Sequence, residues 1–188
     1  MSAILDEPAV RARALRITVP FYHELGRLGL VDKSVELLDG VIVEKMSKSP
    51  LHSSVSRRLA VLIAASLRQG QILLREDPIT TSASEPEPDI AVVNGSEDDF
   101  VEHHPETAEL VVEIAVSSVE IDRRKAIIYA EANVGEYWLV EPERECVTVY
   151  RAPAQGGYAD VSTLSASDTL TCSALPGLRI PLSEIFRR

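Results

Sequence analysis

The spacing of apolar positions changes repeatedly along this chain, and each change marks the edge of an element. Residues 6–16 carry helical spacing with Pro8 near the start. Thr18 followed by Pro20 supplies the cap and first-turn proline of a second helix reaching about Leu28, so about 6–28 form an N-terminal helical preface. Period two then takes over: Ser34–Leu38 and Val41–Glu44 flank the turn dipeptide Asp39-Gly40 and predict a tight β-hairpin. Ser49-Pro50 opens an amphipathic helix over about 50–69, carried by Val55, Leu59, Leu62 and Ile63 and closed by Gly70. Short strands are expected at about 71–75 and 78–82, and Pro88 biases Glu87 toward extended backbone, so that Asp89 opens a strand over 89–93. Residues 94–106 form an exposed acidic excursion. The run 109–116 is the most strand-like in the chain and is expected at the centre of a sheet. A helix over 120–132, strands at 136–140, 146–151 and 158–162, and a tail over about 169–187 with a turn at Pro176-Gly177 and a short closing helix complete the pattern. Strands interleaved with helices over 188 residues predict one α/β (α+β) domain spanning 1–188.

Within the run 109–116, Glu113 is out of place, because an ionised carboxylate in a central strand loses hydration unless something replaces it. Alternation puts Leu110, Val112, Ile114 and Val116 on one apolar face and Glu109, Val111, Glu113, Ala115 and Ser117 on the other. One face then builds the core while the other offers acids to a cleft; a sheet with one wet side, leaving Glu113 merely solvated, is the alternative. Asp89, directly after a proline, is expected to emerge at the sheet edge, where a lone aspartate is commonly a turn or cap residue. Glu36 stands among Val35, Leu37 and Leu38 in the hairpin. Asp122, Lys125 and Tyr129 share one face of the helix after the Glu113 strand, which reads either as a cation and a hydroxyl aimed at the cleft or as a salt-bridged surface with Tyr129 packed beneath. His52 lies in the first turn of the 50–69 helix, and His23, His103 and His104 lack the partner spacing of a zinc site.

Charge changes the picture. A net of −10 argues against broad, sequence-independent nucleic-acid binding, which draws on phosphate neutralisation. Residues 76–122, however, hold fourteen acids and no Lys or Arg, which leaves the rest of the chain at +4. There Lys45, Lys48, Arg57, Arg58, Arg68 and Arg75 form a basic stretch that is either a solvated helix face or a phosphate-contacting surface. Cys146 and Cys172 have no CxxC partner and read as structural thiols. No run approaches the roughly 18 apolar residues of a membrane helix, and the start Met1–Pro8 lacks the basic and apolar regions of a signal peptide, which places the protein in the cytoplasm. For a homodimer the candidate features are an exposed edge strand and the Tyr137-Trp138 pair, although Trp138 more simply alternates into the core.

As an ordered set, Glu-Leu-Leu-Asp-Gly in the hairpin, Ser-Pro-x-His before a helix, Pro-Asp before a strand, Val-Val-Glu-Ile-x-x-Ser, Asp122-x-x-Lys125 and Glu-Tyr-Trp-Leu-Val-Glu-Pro resemble the Uma2 family of restriction-endonuclease-like proteins, a branch of the PD-(D/E)xK nuclease superfamily. The resemblance runs from about Thr18 to Arg151, with a familiar Pro-Gly-Leu tail. It implies a restriction-endonuclease-like mixed β-sheet flanked by helices and a Mg²⁺- or Mn²⁺-dependent endonuclease acting on DNA. Asp89 and Glu113 match its metal-binding acids, Glu36 an additional acid, Lys125 its helix lysine and Tyr129 the tyrosine that follows; His52, Ser117 and Asp122 fall on supporting motif positions. Such a donor set suits a hard cation that takes oxygen ligands and keeps several waters. DNA contact would be local, through Lys45, Lys48, Arg57 and Arg58. The chain departs from the superfamily motif at Ala115, where a lysine two residues after the second acid is expected; either Lys125 brings the cation from the neighbouring helix, as the resemblance implies, or the site lacks its cation and is inert. Two rival classes follow: a catalytically silent interaction or regulatory module, favoured if Lys125 lies remote from Glu113, and a hydrolase of small phosphoesters, favoured by a deep, narrow pocket.

Overall fold

The structure, a computed structural model, describes residues 7–187. A six-stranded mixed sheet runs through it in the order β3-β4-β5-β6-β7-β8: Gln71–Leu74, Ile90–Asn94, Leu110–Ile114, Glu136–Glu141, Cys146–Ala154 and Gly157–Ser165. Every neighbouring pair is antiparallel except β5 and β6, which are parallel and joined by the helix α4, Val119–Glu131. A parallel pair needs such a crossover, and here it drapes α4 over one face of the sheet. On the opposite face lie α3, Pro50–Ala64, and α5, Leu182–Phe186, preceded by the small ribbon of β9, Thr169–Thr171, and β10, Arg179–Pro181. The N-terminal part carries α1, Pro8–Arg11, and α2, Val19–Arg27, capped by the Thr18 hydroxyl, which accepts from the Phe21 N–H. The hairpin of β1, Val35–Leu38, and β2, Val41–Glu44, stands apart from the main sheet and pairs through an isolated bridge between Leu37 and Glu85, on the segment joining β3 to β4.

Sequence pattern explains the two layers. Ile90, Val92, Leu110, Val112, Ile114, Trp138 and Val140 point toward α3 and α5, where Val55, Leu59, Ile63, Ile185 and Phe186 complete one core. Ala91, Val93, Val111, Ala115, Tyr137 and Leu139 point toward α4 and close a second core with Ala126 and Tyr129. The second face of β5 is therefore covered by α4 except where Glu113 reaches the cleft, and the alternative of a wet face leaving Glu113 merely solvated does not hold. Trp138 is fully buried, as alternation predicted, and so is Tyr137, so neither is available as an interface.

Several boundaries differ from the sequence reading, β7 and β8 among them, which run to Ala154 and Ser165 rather than to 151 and 162. The segment 78–82 makes no strand: Ile79 N–H donates to the Pro86 carbonyl, Thr80 N–H to the Pro105 carbonyl and Thr81 N–H to the Ser84 carbonyl. Prolines at 78, 86 and 88 remove the donors a ladder would need. The first helix is a single turn, Pro8–Arg11, and its expected beginning at residue 6 lies outside the described residues. The helix α3 stops at Ala64 rather than near 69, with the Ser66 hydroxyl donating back to the Leu62 carbonyl. The acidic excursion contains a short 3₁₀ turn at Glu97–Phe100. Cys146 and Cys172 are both free thiols, and no helix among the described residues is long and apolar enough to cross a membrane.

Candidate active site

The end of β5, the start of β4, the hairpin and α4 converge on one group of side chains. Strand alternation turns Glu113 toward α4, and the helical spacing of Lys125 and Tyr129 brings both to it: Lys125 Nζ donates to Glu113 Oε1 at 3.0 Å and the Tyr129 hydroxyl to the same oxygen at 2.8 Å. Lys125 Nζ also lies 2.9 Å from Glu36 Oε1 and 3.5 Å from Asp122 Oδ1. One ammonium thus sits among three carboxylates contributed by β1, β5 and α4. Glu36 spends its other oxygen on the Glu87 N–H at 3.2 Å, and the Ser118 hydroxyl donates to Asp122 Oδ2.

Asp89 stands beside this group, buried rather than emerging at the sheet edge. Its Oδ2 accepts the Ile114 N–H at 2.8 Å and lies 3.0 Å from His52 Nε2, while Lys48 Nζ is 3.3 Å from Oδ1. The Ser49 cap that starts α3 fixes His52 in the first turn, where it faces Asp89. His52 Nδ1 is buried without a partner among the described residues, while Nε2 faces Asp89. Ser117 is exposed at the mouth of the cleft.

Glu36, Asp89, Glu113, Asp122 and Lys125 are each at most 5% exposed, so the electrostatics are those of a desolvated cluster. Burial pushes Glu113 up to about 8 against the pull of Lys125, with Asp122, Asp89 and Glu36 adding to the rise. Burial likewise raises Asp122, opposed by Lys125 and Ser118. For Asp89 burial works upward too, but the His52 contact, the Ile114 N–H and Lys48 outweigh it and hold the carboxyl below its ordinary value. Burial works against the charge of Lys125, yet the carboxylates of Glu113, Glu36 and Asp122 raise it above the ordinary lysine range. Tyr129 is raised by burial and by Glu113 and remains a donor. Two neighbouring acids pushed in opposite directions are a recurring property of reactive sites.

The cleft over these residues encloses about 430 Å³ and reaches Lys48, Asp89, Glu113, Ile114 and Ser117. Glu113 Oε2 receives no hydrogen bond from the described residues and is not sealed off, and Asp89 Oδ1 is met only by the Lys48 ammonium. These hard oxygens, at the β4 and β5 positions, fit a Mg²⁺-type ion that keeps several waters. The three acids do not form a common cage: among the described residues no group of three or more acidic, His or Cys side chains converges to hold a metal, because Glu36 is drawn onto Lys125.

The basic stretch divides. Lys45 pairs with Glu87 at 2.8 Å and lines the cleft with Lys48, and Arg57 is exposed. Arg58 is spent on the carbonyls of Ile185 and Arg187 and does not belong to a phosphate-contacting surface. Arg75 leans on the Ser56 hydroxyl at 3.3 Å. Sequence reasoning missed Glu76, which holds Lys48 at 3.0 Å, and the use of Lys48 against Asp89; no local pattern around either residue signals the contact. His23 lies 2.7 Å from Glu85 outside the cleft, and His103 and His104 are exposed.

A solved structure titled "Crystal structure of a putative nuclease belonging to DUF820 from Anabaena variabilis" superposes with a TM-score of 0.70 at 17% identity, covering 86% of this chain and 96% of that one, a likeness of fold. No curated protein matches the chain. The family model Uma2, described as "Putative restriction endonuclease", matches residues 22–183, and the chain belongs to that family.

Proposed function

We propose that this chain is a divalent-metal-dependent endonuclease that hydrolyses phosphodiester bonds in DNA. The observation that carries the reading is the 3.0 Å contact between Lys125 and Glu113, because it supplies the cation that Ala115 cannot. Asp89 and Glu113 would hold Mg²⁺ or Mn²⁺. When bound, such an ion polarises the scissile phosphate and acidifies a water. The protein's part is to orient and to balance charge. His52 and the Ile114 N–H fix the Asp89 carboxylate, and Tyr129 fixes Glu113, in the way supporting hydrogen bonds orient metal ligands generally. Lys125 holds a positive charge where negative charge develops on the phosphate, and Glu36 with Asp122 keeps that ammonium in place. Burial raises the Glu113 carboxyl to about 8, so holding a cation there would require it to release its proton.

The test is calorimetric titration of Mn²⁺ and Mg²⁺ into the wild type and into the double variant Asp89→Ala, Glu113→Ala, followed by incubation with supercoiled plasmid and with single-stranded DNA. Metal binding and nicking that both vanish in the double variant are the expected result. Metal binding with no cleavage of either DNA would move the reading to small phosphoesters, and no binding at millimolar metal would end it.

A further inference from the structure

Lys48 occupies a position that the proposed chemistry leaves unexplained. It lies on the segment joining β2 to α3, is 38% exposed, and places Nζ 3.3 Å from Asp89 Oδ1, the oxygen that faces the cleft. Its other contact is Glu76 at 3.0 Å. Glu76 follows β3 in the left-handed region at φ 59°, with its N–H on the Pro88 carbonyl. A left-handed backbone at a residue other than glycine costs energy that the surroundings must offset, and here it turns the Glu76 carboxylate toward Lys48 at the rim of the cleft. Lys45, the other lysine of this segment that lines the cleft, is committed to Glu87 and, among the described residues, makes no salt bridge with Asp89 or Glu113.

A lysine and a divalent ion cannot both take the same carboxylate oxygen. The ammonium is singly charged, on a flexible four-carbon stem, and half in solvent, so the ion displaces it. Once displaced, Lys48 remains tethered at the rim by Glu76, beside the position an ion-bound phosphate would occupy. Resting on the metal-dependent reading above, we propose that Lys48 is an exchangeable cation: it neutralises Asp89 in the metal-free protein and passes to a substrate phosphate when a divalent ion binds. The arrangement makes metal binding and phosphate binding cooperative, since the ion frees the side chain that the phosphate then engages.

The test compares wild type, Lys48→Met, Lys48→Arg and, as a control for the general field of the cleft, Lys33→Met, which alters another cleft-lining lysine, one that makes no salt bridge among the described residues. Mn²⁺ is titrated calorimetrically without DNA, and a fluorescent duplex is titrated in Ca²⁺ over a range of salt. Lys48→Met should bind Mn²⁺ three- to tenfold more tightly than wild type, while Lys33→Met stays within twofold. The same Lys48→Met variant should bind the duplex about tenfold more weakly, with the slope of log K against log salt reduced by about one, and Lys48→Arg should recover most of that loss. Unchanged or weaker Mn²⁺ binding in Lys48→Met, or an equal gain in Lys33→Met, overturns the exchange while leaving the nuclease reading standing. Tighter Mn²⁺ binding with undiminished duplex affinity overturns the transfer to phosphate. If wild type and Lys48→Met both fail to bind Mn²⁺, the metal-dependent reading and this one fall together.

Discussion

Replacing Lys125 with methionine keeps the length of the side chain and removes its charge from the centre of three carboxylates at 2.9, 3.0 and 3.5 Å. Removing one partner from a buried ion cluster costs about 3–5 kcal/mol, because the remaining charges keep their desolvation and lose their compensation. For a domain of this size, about 2–4 °C of melting temperature corresponds to each kcal/mol, so the metal-free variant should melt about 6–20 °C below wild type. The penalty depends on pH in a determined direction. Glu113 and Asp122 are already raised by burial with Lys125 opposing, so loss of the lysine raises them further. A carboxyl raised in the folded state contributes stability at low pH that is lost as pH rises through its folded value. Glu113 ionises near 8 in wild type and higher in the variant, so its part of the Lys125→Met deficit should be smallest below pH 8 and grow as pH rises past it. A divalent ion that binds the folded state at a hundredfold excess over its Kd should return about 2.7 kcal/mol. Urea unfolding of both proteins at pH 6.5, 8 and 9.5, with and without Mn²⁺, measures all of this. A deficit below about 1 kcal/mol, or one that does not change with pH, would refute the argument that this ammonium holds the acids together.

Glu113→Gln removes a group whose folded value is near 8 and whose ordinary value is 4.5, so between those pH values wild type loses stability on the order of 5 kcal/mol that the variant keeps; denaturation curves that run parallel from pH 5 to 8 would contradict this. Mn²⁺ binding at pH 6.5 should release close to one proton, read from titrations in buffers of different ionisation enthalpy, and the release should vanish above pH 8. Arg58→Ala should cost about 1–2 kcal/mol through its lost bonds to the Ile185 and Arg187 carbonyls and leave duplex affinity unchanged. Arg57→Ala, at an exposed site, should leave stability unchanged and lower duplex affinity with a salt slope smaller by about one.

What could be read from sequence was what local chemistry decides. Asp39 and Gly40 both adopt positive φ, as the tight hairpin turn requires, and Ser49 caps α3 where Ser-Pro announced it. Glu113 was visible as an acid inside an apolar run, and the spacing of Asp122, Lys125 and Tyr129 as one helix face. Whether that face met solvent or the acid was decided by how α4 returns over the sheet between β5 and β6, and no residue near Lys125 encodes that return alone. The same holds for Lys48 and Asp89, whose contact depends on three separate segments meeting at the mouth of the cleft. The segment 78–82 misled for a related reason: its own residues suit a strand, but the neighbours that would have to pair with it are prolines.

Ala115 gives these observations a common cause. A lysine at that position would share the face of Glu113, but Ala115 is 2% exposed and belongs to the core that α4 closes with Ala126 and Tyr129. Small residues there let the helix approach, and the approach is what brings Lys125 within 3.0 Å of Glu113. The cation required by the chemistry is defined by where its nitrogen ends, and a four-carbon stem from the helix reaches the same acid that a stem from the strand would. Moving its origin to α4 adds two things a strand lysine would lack: Asp122 one turn before it, and Tyr129 one turn after it to share Glu113 Oε1. The ammonium is then fixed on the helix side, leaving the cleft side of Glu113 and Asp89 to whatever cation arrives from solvent. Lys48 already stands there. In the metal-free protein every acid of the cluster thus has a cation near it, one permanent and one exchangeable, and this division lets a buried group of carboxylates persist without an ion and still admit one.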